Sequence, residues 1–306
     1  MGASVMPSRA RNMRDRRDWL VAQAIRALLW LAQRLRYPVR VRWLGWLVGR
    51  AIGPVSGFHA RIRANLALVC PGMDRVEVRR ITREVPVNAV RTLLELHSGA
   101  EFRAVAAAAR VRGAEHLAAV EAAHAAGRPV ILVSGHFGNY DVPRAALAAR
   151  GIAVGGLYRP LKNRFYNAIY AETIATISGP VFPRGRRGLA EMVKFLRGGG
   201  VVGLLIDQRM AHGAPLQFFG RTAWTALSAA EMAVKYDALI LPMYGRRLPD
   251  GVSFELVAEA PLAHGDPVAM TQALNDSLER MVRADMGQWL WFHRRWKDPH
   301  RREAPV

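Results

Sequence analysis

Four short, continuous apolar runs constrain what this chain can fold into. They lie at residues 129–133, 152–157, 201–206 and 238–243. Runs without alternation of polar and apolar residues are typical of strands that are buried on both faces of a sheet. Helical patterns follow these runs, at residues 163–177, 187–197 and 223–236. This alternation predicts an α/β fold in which a mostly parallel central sheet is flanked by helices.

The rest of the chain adds helices and one strand to this core. The pattern in residues 74–107 predicts helices broken near Pro86, and the alanine-rich stretches 104–109 and 118–126 favour helix. A further strand is predicted at 252–257 and a helix at 269–284. We expect an α/β domain over residues 57–306, preceded by a basic, tryptophan-rich, membrane-associating segment over residues 1–56.

Positive charge is concentrated at the two ends of the chain. The sequence has 44 lysines and arginines against 24 acids, which gives a formal net charge of +20. Residues 1–63 hold thirteen of the arginines and only two acids. Residues 289–302 again combine arginine with tryptophan. Clusters of this kind fit either a nucleic acid or an anionic membrane surface.

The apolar residues between these charges favour the membrane. Residues 19–35 are too hydrophobic for a solvated DNA-binding helix, and Arg26 and Arg34 interrupt a transmembrane span. We predict an N-terminal amphipathic, membrane-associating helical segment, with tryptophan at headgroup level. The alternative is an amphipathic helix packed on its own domain. The residues predicted to contact membrane or lipid phosphate are Arg26, Arg34, Trp30, Trp43, Arg294 and Arg295.

Polar residues directly follow three of the predicted strands. After the first come His136, Asn139 and Asp141; after the second Arg159 and Asn163; after the third Asp207 and Gln208. Ligands in open α/β sheets bind beyond the carboxyl ends of the strands. These residues are therefore candidates for one site at a common edge of the sheet.

His136 and Asp141 have the composition of a general base and its orienting carboxylate. His116 and His293 also have an acid five positions on. His116 lies in a predicted helix, where that spacing turns the two side chains apart. His293 lies in a basic aromatic run and is expected to face a surface or a lipid phosphate. Only His136 follows a buried strand, with neighbouring glycines that permit a tight turn.

Other chemistries find little support in the sequence. The single cysteine, Cys70, excludes an intramolecular disulfide and a multi-cysteine zinc site. The neighbours of His136, Asp141 and Asp207 do not form a closed ligand set, so no metal is expected. Neither a nucleophile elbow nor a phosphate-binding P-loop occurs.

Five blocks of sequence carry a resemblance to a known family. They are GHFGNYD at 135–141, YRPLKN at 158–163, Asp207 with Gln208, FFG at 218–220 followed by Ala223 and Thr225, and WFHRRWK at 291–297. In this order they resemble the bacterial lipid A late acyltransferases, the lauroyl and myristoyl acyltransferases, and also the mycobacterial phosphatidylinositol mannoside acyltransferases. The second residue of the His-x4-acid motif is usually Glu in the lipid A enzymes and is Asp141 here.

The resemblance implies an O-acyltransferase of the glycolipid pathways. Such an enzyme moves a fatty acyl chain from acyl carrier protein, or coenzyme A, to a hydroxyl of a lipid A precursor or related glycolipid, without an acyl-enzyme. His136 would deprotonate the hydroxyl while Asp141 holds the imidazole. Arg159, supported by Asn163, would meet the oxyanion or an acceptor phosphate. Substrate contacts are expected from Asp207, Gln208 and Asn139.

The expected partners follow from the same resemblance. They are acyl carrier protein, a glycolipid acceptor and anionic membrane lipids at the cytoplasmic face of the inner membrane, with no cofactor beyond the acyl thioester. Two alternatives stay open. One is another lipid acceptor, of the phosphatidylinositol mannoside type or an aminolipid. The other, from a different class, is a basic nucleic-acid-binding protein, which leaves the polar strand ends unexplained, so no nucleic-acid partner is expected.

Overall fold

A seven-stranded sheet forms the centre of the computed structural model, which describes residues 8–298 and the side chains of residues 13–298. Its strands are β1 Arg110–Arg112, β2 Val130–Ser134, β3 Val154–Tyr158, β4 Val181–Pro183, β5 Val201–Leu205, β8 Leu239–Arg247 and β9 Phe254–Ala258; β6 Ala214–Phe218 and β7 Arg221–Thr225 form a separate hairpin. The sheet order is β1-β9-β8-β2-β5-β3-β4, and only β8 and β9 pair antiparallel. The predicted mostly parallel sheet is confirmed.

Twelve α-helices are present among the described residues, and they surround this sheet. They are α1 Ser8–Gln33, α2 Tyr37–Val39, α3 Gly45–Val55, α4 Phe58–Val69, α5 Arg75–Leu96, α6 Gly99–Ala107, α7 Ala114–Ala125, α8 Val142–Ala148, α9 Arg164–Ile177, α10 Arg186–Arg197, α11 Ser228–Lys235 and α12 Pro267–Ala284. A π-helical turn, Arg40–Leu44, joins α2 to α3, and a 3-10 turn, Met286–Gln288, follows α12.

Burial on both faces of the sheet explains the uninterrupted apolar run at residues 130–133 of β2. All five of its residues are buried. Val130 and Leu132 belong to the core that includes Val142 and Ala145 of α8. Ile131, on the other face, packs in the core formed by α10 and α11. Burial on both faces removes the need for polar alternation, as the sequence predicted.

Two helix predictions were wrong in detail. Helix α5 runs through Pro86 without a break, and Pro86 is buried within it beside Val87, whose backbone packs closely on Gly49 of α3. Tertiary packing therefore outweighs the local cost of proline. Residues 223–225, which we predicted to begin a helix, belong instead to strand β7, because the chain turns at Phe219 and Gly220 to pair with β6.

The N-terminal helices lie against the α/β core. Helix α1 packs on α9 and α3 packs on α5. The guanidinium of Arg40 is buried and hydrogen-bonded to Ser98 and Glu101. Among the residues that the structure describes, no helix combines the length and apolar character needed to cross a bilayer. Membrane association of the N-terminal segment stays a prediction.

Candidate active site

The carboxyl ends of β2 and β5 bring His136 and Asp207 together. The two strands pair in parallel, with Ser134 opposite Leu205, so the residues that follow them emerge side by side. His136 Nδ1 lies 2.8 Å from Asp207 Oδ1. The sequence placed both residues at this edge of the sheet, and the structure joins them directly.

Three N–H groups converge on the Asp207 carboxylate, which is fully buried. Besides the ring contact, the backbone N–H of His136 donates to Oδ2 at 2.7 Å, and the indole N–H of Trp289 donates to the same oxygen at 2.8 Å. Burial alone would raise the pKa of Asp207, but the interactions with His136 outweigh it and hold this pKa well below its usual range. The carboxylate is therefore ionised and accepts the proton of Nδ1, which leaves His136 Nε2 as the basic nitrogen.

Two glycines make the turn after β2 possible. A Cβ on Gly135 would lie 2.6 Å from a Leu278 methyl and 3.2 Å from Asp207 Oδ2. Gly138 has a φ of +56°, and a Cβ there would lie 2.0 Å from the carbonyl oxygen of Gly245. The loop therefore fits against its neighbours only without side chains at these positions.

Asp141 does not hold the imidazole of His136 in the structure, contrary to our expectation. Asp141 occupies the N-cap position of α8, and Arg144, one turn further on, donates to its Oδ1 at 2.6 Å. Arg144 also donates to the carbonyl oxygen of Ser178. Both members of this pair are buried. The carboxylate of Asp141 is paired with Arg144, three residues further along the chain. The carboxylate beside His136 Nδ1 is that of Asp207.

Asn139 was expected to bind substrate, and the structure contradicts this. Its side chain is buried, its amide N–H donates to Glu95, and its oxygen accepts the backbone N–H of Asp141. Glu95 is in turn paired with the buried Arg247. Asn139 therefore fixes the loop between β2 and α8 from the inside, and its polar atoms do not face the cavity.

Asn163 also differs from its expected role. It is the N-cap of α9, where its oxygen accepts the backbone N–H groups of Phe165 and Tyr166. Its amide N–H donates to the carbonyl oxygen of Asp18. These contacts use both ends of the amide for local structure and for docking α1, so Asn163 does not support Arg159.

A cavity of about 780 Å³ opens beside His136. Arg159, Lys162 and Arg184 are exposed side chains at its mouth, and none forms an ion pair with a carboxylate in residues 13–298. Gln208 also lines this cavity, with its Nε2 at 3.4 Å from His136 Nε2. Asp207, which we expected at the substrate, lies behind the histidine. Of the candidates, His136, Asp141, Arg159 and Gln208 line the cavity.

A second cavity, of about 180 Å³, lies on another side of the histidine, between α5 and the segment after the 3-10 turn. His136, Tyr140 and Tyr170 line both cavities. The Tyr140 ring meets the His136 ring edge-on at 5.2 Å. Burial raises the pKa of Tyr140 well above its ordinary value, so its phenol stays protonated. His136 therefore borders both cavities.

The C-terminal segment contributes residues that the sequence analysis assigned elsewhere. The ring of His293, expected at a surface, packs edge-on against His136 at 5.0 Å, and burial lowers its pKa to about 4. Arg295, expected at lipid phosphate, is buried and donates to the carbonyl oxygen of Trp224 and to Thr225 Oγ1. Burial lowers its pKa to about 10. The Arg295 prediction was therefore wrong, whereas Arg294 is exposed.

The N-terminal candidates are exposed, as a contact with a membrane requires. Trp30 and Trp43 expose 54% and 64% of their surface, and Arg26 and Arg34 are exposed as well. The Arg34 guanidinium lies 4.2 Å from the Trp30 ring centroid, a cation–π contact. Within residues 8–298, no group of three or more His, Cys, Asp or Glu side chains is arranged to hold a metal ion.

Comparison with known proteins defines the class to which this fold and site belong. The chain is an O-acyltransferase. A family model described as bacterial lipid A biosynthesis acyltransferase matches residues 6–298, and the chain belongs to that family. The resemblance given by the five sequence blocks is thereby confirmed.

Curated relatives agree with this membership. The chain is 28% identical over 291 residues to a lipid A biosynthesis lauroyltransferase of Escherichia coli K12, which covers 92% of each chain. It is 27% identical over 192 residues to a phosphatidylinositol mannoside acyltransferase of Mycobacterium tuberculosis, covering 61% of this chain and 59% of the relative. A lipid A biosynthesis acyltransferase of Haemophilus influenzae is 24% identical over 183 residues, covering 59% and 56%.

Proposed function

We propose that this acyltransferase moves a fatty acyl chain from an acyl carrier protein or coenzyme A thioester to a hydroxyl of a lipid A precursor or related glycolipid, with His136 as general base. The observation that carries the proposal is the hydrogen bond between His136 Nδ1 and the buried Asp207 carboxylate, beside a cavity large enough for a lipid substrate. Family membership supplies the reaction type.

The proposed chemistry needs only the residues around His136 and the two substrates. Nε2 takes the proton of the acceptor hydroxyl as its oxygen attacks the thioester carbonyl. The tetrahedral intermediate then expels the thiolate, which takes the proton back from the imidazolium. Asp207 stabilises that imidazolium and fixes the tautomer. No acyl-enzyme and no cofactor take part.

The groups near Nε2 suit the charges that develop in this reaction. The Gln208 amide lies beside Nε2 and can donate to an oxygen of the substrate or of the tetrahedral intermediate. Arg159, Lys162 and Arg184 form a cationic rim at the cavity mouth. Their exposure favours contact with phosphate groups, of a phosphorylated acceptor or of the carrier's pantetheine arm. This favours the phosphate role for Arg159 over an oxyanion role.

The N-terminal helices supply a means of reaching a membrane-embedded acceptor. Their exposed side chains include tryptophans that are half or more exposed and arginines that can meet anionic headgroups. We infer that α1 and α3 rest on the cytoplasmic face of the inner membrane. The acyl carrier protein, which is acidic, would approach the cationic rim from the cytoplasm.

The relatives support two classes of lipid acceptor. The mycobacterial relative is named for phosphatidylinositol mannoside, and the relatives from Escherichia coli and Haemophilus influenzae are named for lipid A. A phosphatidylinositol mannoside-like acceptor is therefore the second candidate. Either acceptor would offer a hydroxyl to His136, so the same base serves both.

Acyl transfer by purified protein to each glycolipid tests the function and the base together. The assay uses labelled dodecanoyl-acyl carrier protein and dodecanoyl-coenzyme A in matched reactions. His136→Ala should abolish transfer, and Asp207→Asn should lower kcat by about 10³- to 10⁴-fold, because the neutral amide neither fixes the tautomer nor stabilises imidazolium. Asp141→Asn, which loosens only Arg144, should cost far less.

The comparison of the two aspartates makes the assay decisive. Equal loss in Asp141→Asn and Asp207→Asn, with both proteins folded by circular dichroism, would contradict the assignment of Asp207. Acyl transfer at the wild-type rate by Asp207→Asn would show that Asp207 has no part in the reaction. A wild-type protein that transfers acyl groups to neither glycolipid would refute the proposed function.

A further inference from the structure

Two glycines face each other on the floor of the large cavity. Gly156 of β3 and Gly203 of β5 are direct neighbours in the parallel register. Both line the cavity and both are only half-buried. Glycine weakens a strand interior and leaves space above the sheet, so such a pair marks a place where something approaches the backbone closely.

The side chain that lies across this pair is Arg144. A Cβ on Gly203 would sit 3.8 and 3.9 Å from its Cγ and Cδ, and a Cβ on Gly156 would sit 3.2 Å from its Cζ. The guanidinium is held at the far end by Asp141 and by the carbonyl oxygens of Val154 and Ser178. Arg144 is therefore a fixed wall whose hydrogen-bonding groups are already engaged.

The space between this wall and His136 suits a hydrocarbon chain. The apolar side chains of Leu132, Ile174, Leu205 and Met243 line the cavity, and the guanidinium of Arg144 is paired with Asp141. Gly203 lies opposite Leu132, two residues before the end of β2, which is about 7 Å below the carboxyl edge at ~3.3 Å per residue. A chain that entered beside His136 would meet Gly203, and the Arg144 side chain that lies across it, at about this depth.

We propose that Gly203 sets the length of the acyl chain that the enzyme accepts, with Arg144 closing the cavity behind it. This rests on the proposed function and concerns the donor half of the same site. Side chains at position 203 occupy volume that otherwise receives the end of the chain. Asp141 contributes to this selection through Arg144 and without touching the reacting atoms.

Gly203 is the position at which the cavity can be shortened without strain. A Cβ there meets its nearest neighbours, Val154 and Arg144, at 3.7 Å or more, which is ordinary contact. At Gly156 the same atom would press on the guanidinium at 3.2 Å. A β-branched residue also suits the interior of a strand, so Gly203→Val should fold as the wild type does.

Binding of non-reactive thioether analogues of acyl-coenzyme A measures the effect without turnover. The series is decanoyl, dodecanoyl, tetradecanoyl and hexadecanoyl, titrated calorimetrically into wild type, Gly203→Ala and Gly203→Val. Each methylene that loses its burial costs about fourfold in affinity. Gly203→Val should therefore prefer shorter chains, with the ratio of long-chain to short-chain affinity lowered by about tenfold or more. Gly203→Ala should give a smaller shift.

A matched variant separates this from a general effect of adding a methyl group. Gly198 lies outside the cavity at the end of α10, and a Cβ there meets only carbonyl oxygens at 3.5 and 3.7 Å. Gly198→Ala should leave the length profile unchanged. Thermal unfolding of each variant provides the check on folding.

Two outcomes would overturn the inference. An unchanged length profile in folded Gly203→Val means that the chain lies elsewhere. An equal loss of affinity for all four analogues means that position 203 contacts a part that they share. A shifted profile in a protein that transfers no acyl group would instead leave the length selection standing and remove the proposed transfer reaction, so the two failures are distinguishable.

Discussion

The two basic, tryptophan-rich ends of the chain have similar composition but differ in burial. Trp30 and Trp43, in the N-terminal helices, are more than half exposed, whereas Trp289 and Trp291 are fully buried. The C-terminal pair lies two residues apart and packs on Phe218 and Phe219 of the β6–β7 hairpin, with ring centroids 5.4 and 5.3 Å apart. Arginine mixed with tryptophan thus describes both a surface and a core, and tertiary partners decide between them.

The largest expected difference between the two ends is in stability. Trp291→Ala removes a fully buried side chain and its hydrogen bond to the Met286 carbonyl, so the free energy of unfolding should fall by about 3–5 kcal/mol. Trp43→Ala should cost less than about 1 kcal/mol. Urea denaturation followed by circular dichroism measures both. Similar losses of unfolding free energy in the two variants would contradict the difference in burial between the two ends.

Acid should destabilise the protein through the C-terminal cluster. Burial lowers the pKa of His293 to about 4, against about 6.5 in the unfolded chain. The unfolded state therefore binds more protons between these values, and stability falls as pH drops from about 6.5 to 4, by up to roughly 3 kcal/mol for this group.

His293→Asn should flatten that pH dependence, measured by urea midpoints at several pH values. It should not abolish it, because burial also lowers the pKa of His97 to about 4. His212→Asn, at an exposed position, is the matched control and should leave the slope as it is. A wild-type slope in His293→Asn would contradict burial of the neutral ring.

Substitution of an arginine should also destabilise the protein more at the C-terminal end than at the N-terminal end. The difference in unfolding free energy should be smaller than for the tryptophans. Arg295→Met leaves the oxygens of Trp224 and Thr225 without their buried donor, which should cost about 2 kcal/mol of unfolding free energy. Arg26→Met, at an exposed position, should change stability by less than about 0.5 kcal/mol. If both substitutions are neutral in urea denaturation, the burial of Arg295 is not needed for the fold.

The smallest expected effect is on membrane binding. Here substitutions at the N-terminal end should matter more than those at the C-terminal end. Arg26→Gln and Arg34→Gln should each weaken binding to vesicles containing anionic lipid by about 1 kcal/mol, roughly fivefold, at low salt. Vesicle flotation measures this, with vesicles of neutral lipid as the control. Arg295→Met should bind as the wild type does. Unchanged vesicle binding in the N-terminal variants would favour the alternative, in which α1 is an amphipathic helix that packs on its own domain.

The strands and the position of His136 could be predicted because they depend on local pattern. An uninterrupted apolar run followed by a polar residue indicates a buried strand and its carboxyl end. The partner of His136 could not be predicted in this way. Asp141 is five residues away and Asp207 is 71, and only the pairing of Ser134 with Leu205 places Asp207 beside the ring. Proximity in sequence favoured Asp141, a carboxylate that the structure pairs with Arg144.

Asn163 carries a sequence signal for its structural role as a helix N-cap. It immediately precedes a helical pattern, and asparagine is among the preferred residues at a helix N-cap. Its contacts with Phe165 and Tyr166 are of that kind. His293 and Trp289 carried no comparable signal, because their contacts with the site come from the return of the chain across the sheet edge after α12.

The hydrogen bond from Trp289 to Asp207 can form only late in the synthesis of the chain. The imidazole belongs to residue 136, the carboxylate beside it to residue 207, and the indole that also donates to this carboxylate to residue 289. A ribosome that has translated the first two has not yet made the third. While residues 208–288 are being synthesised, the nascent chain therefore holds His136 and Asp207 without the indole of Trp289, and a fragment that ends in this range lacks one of the three N–H donors to the carboxylate.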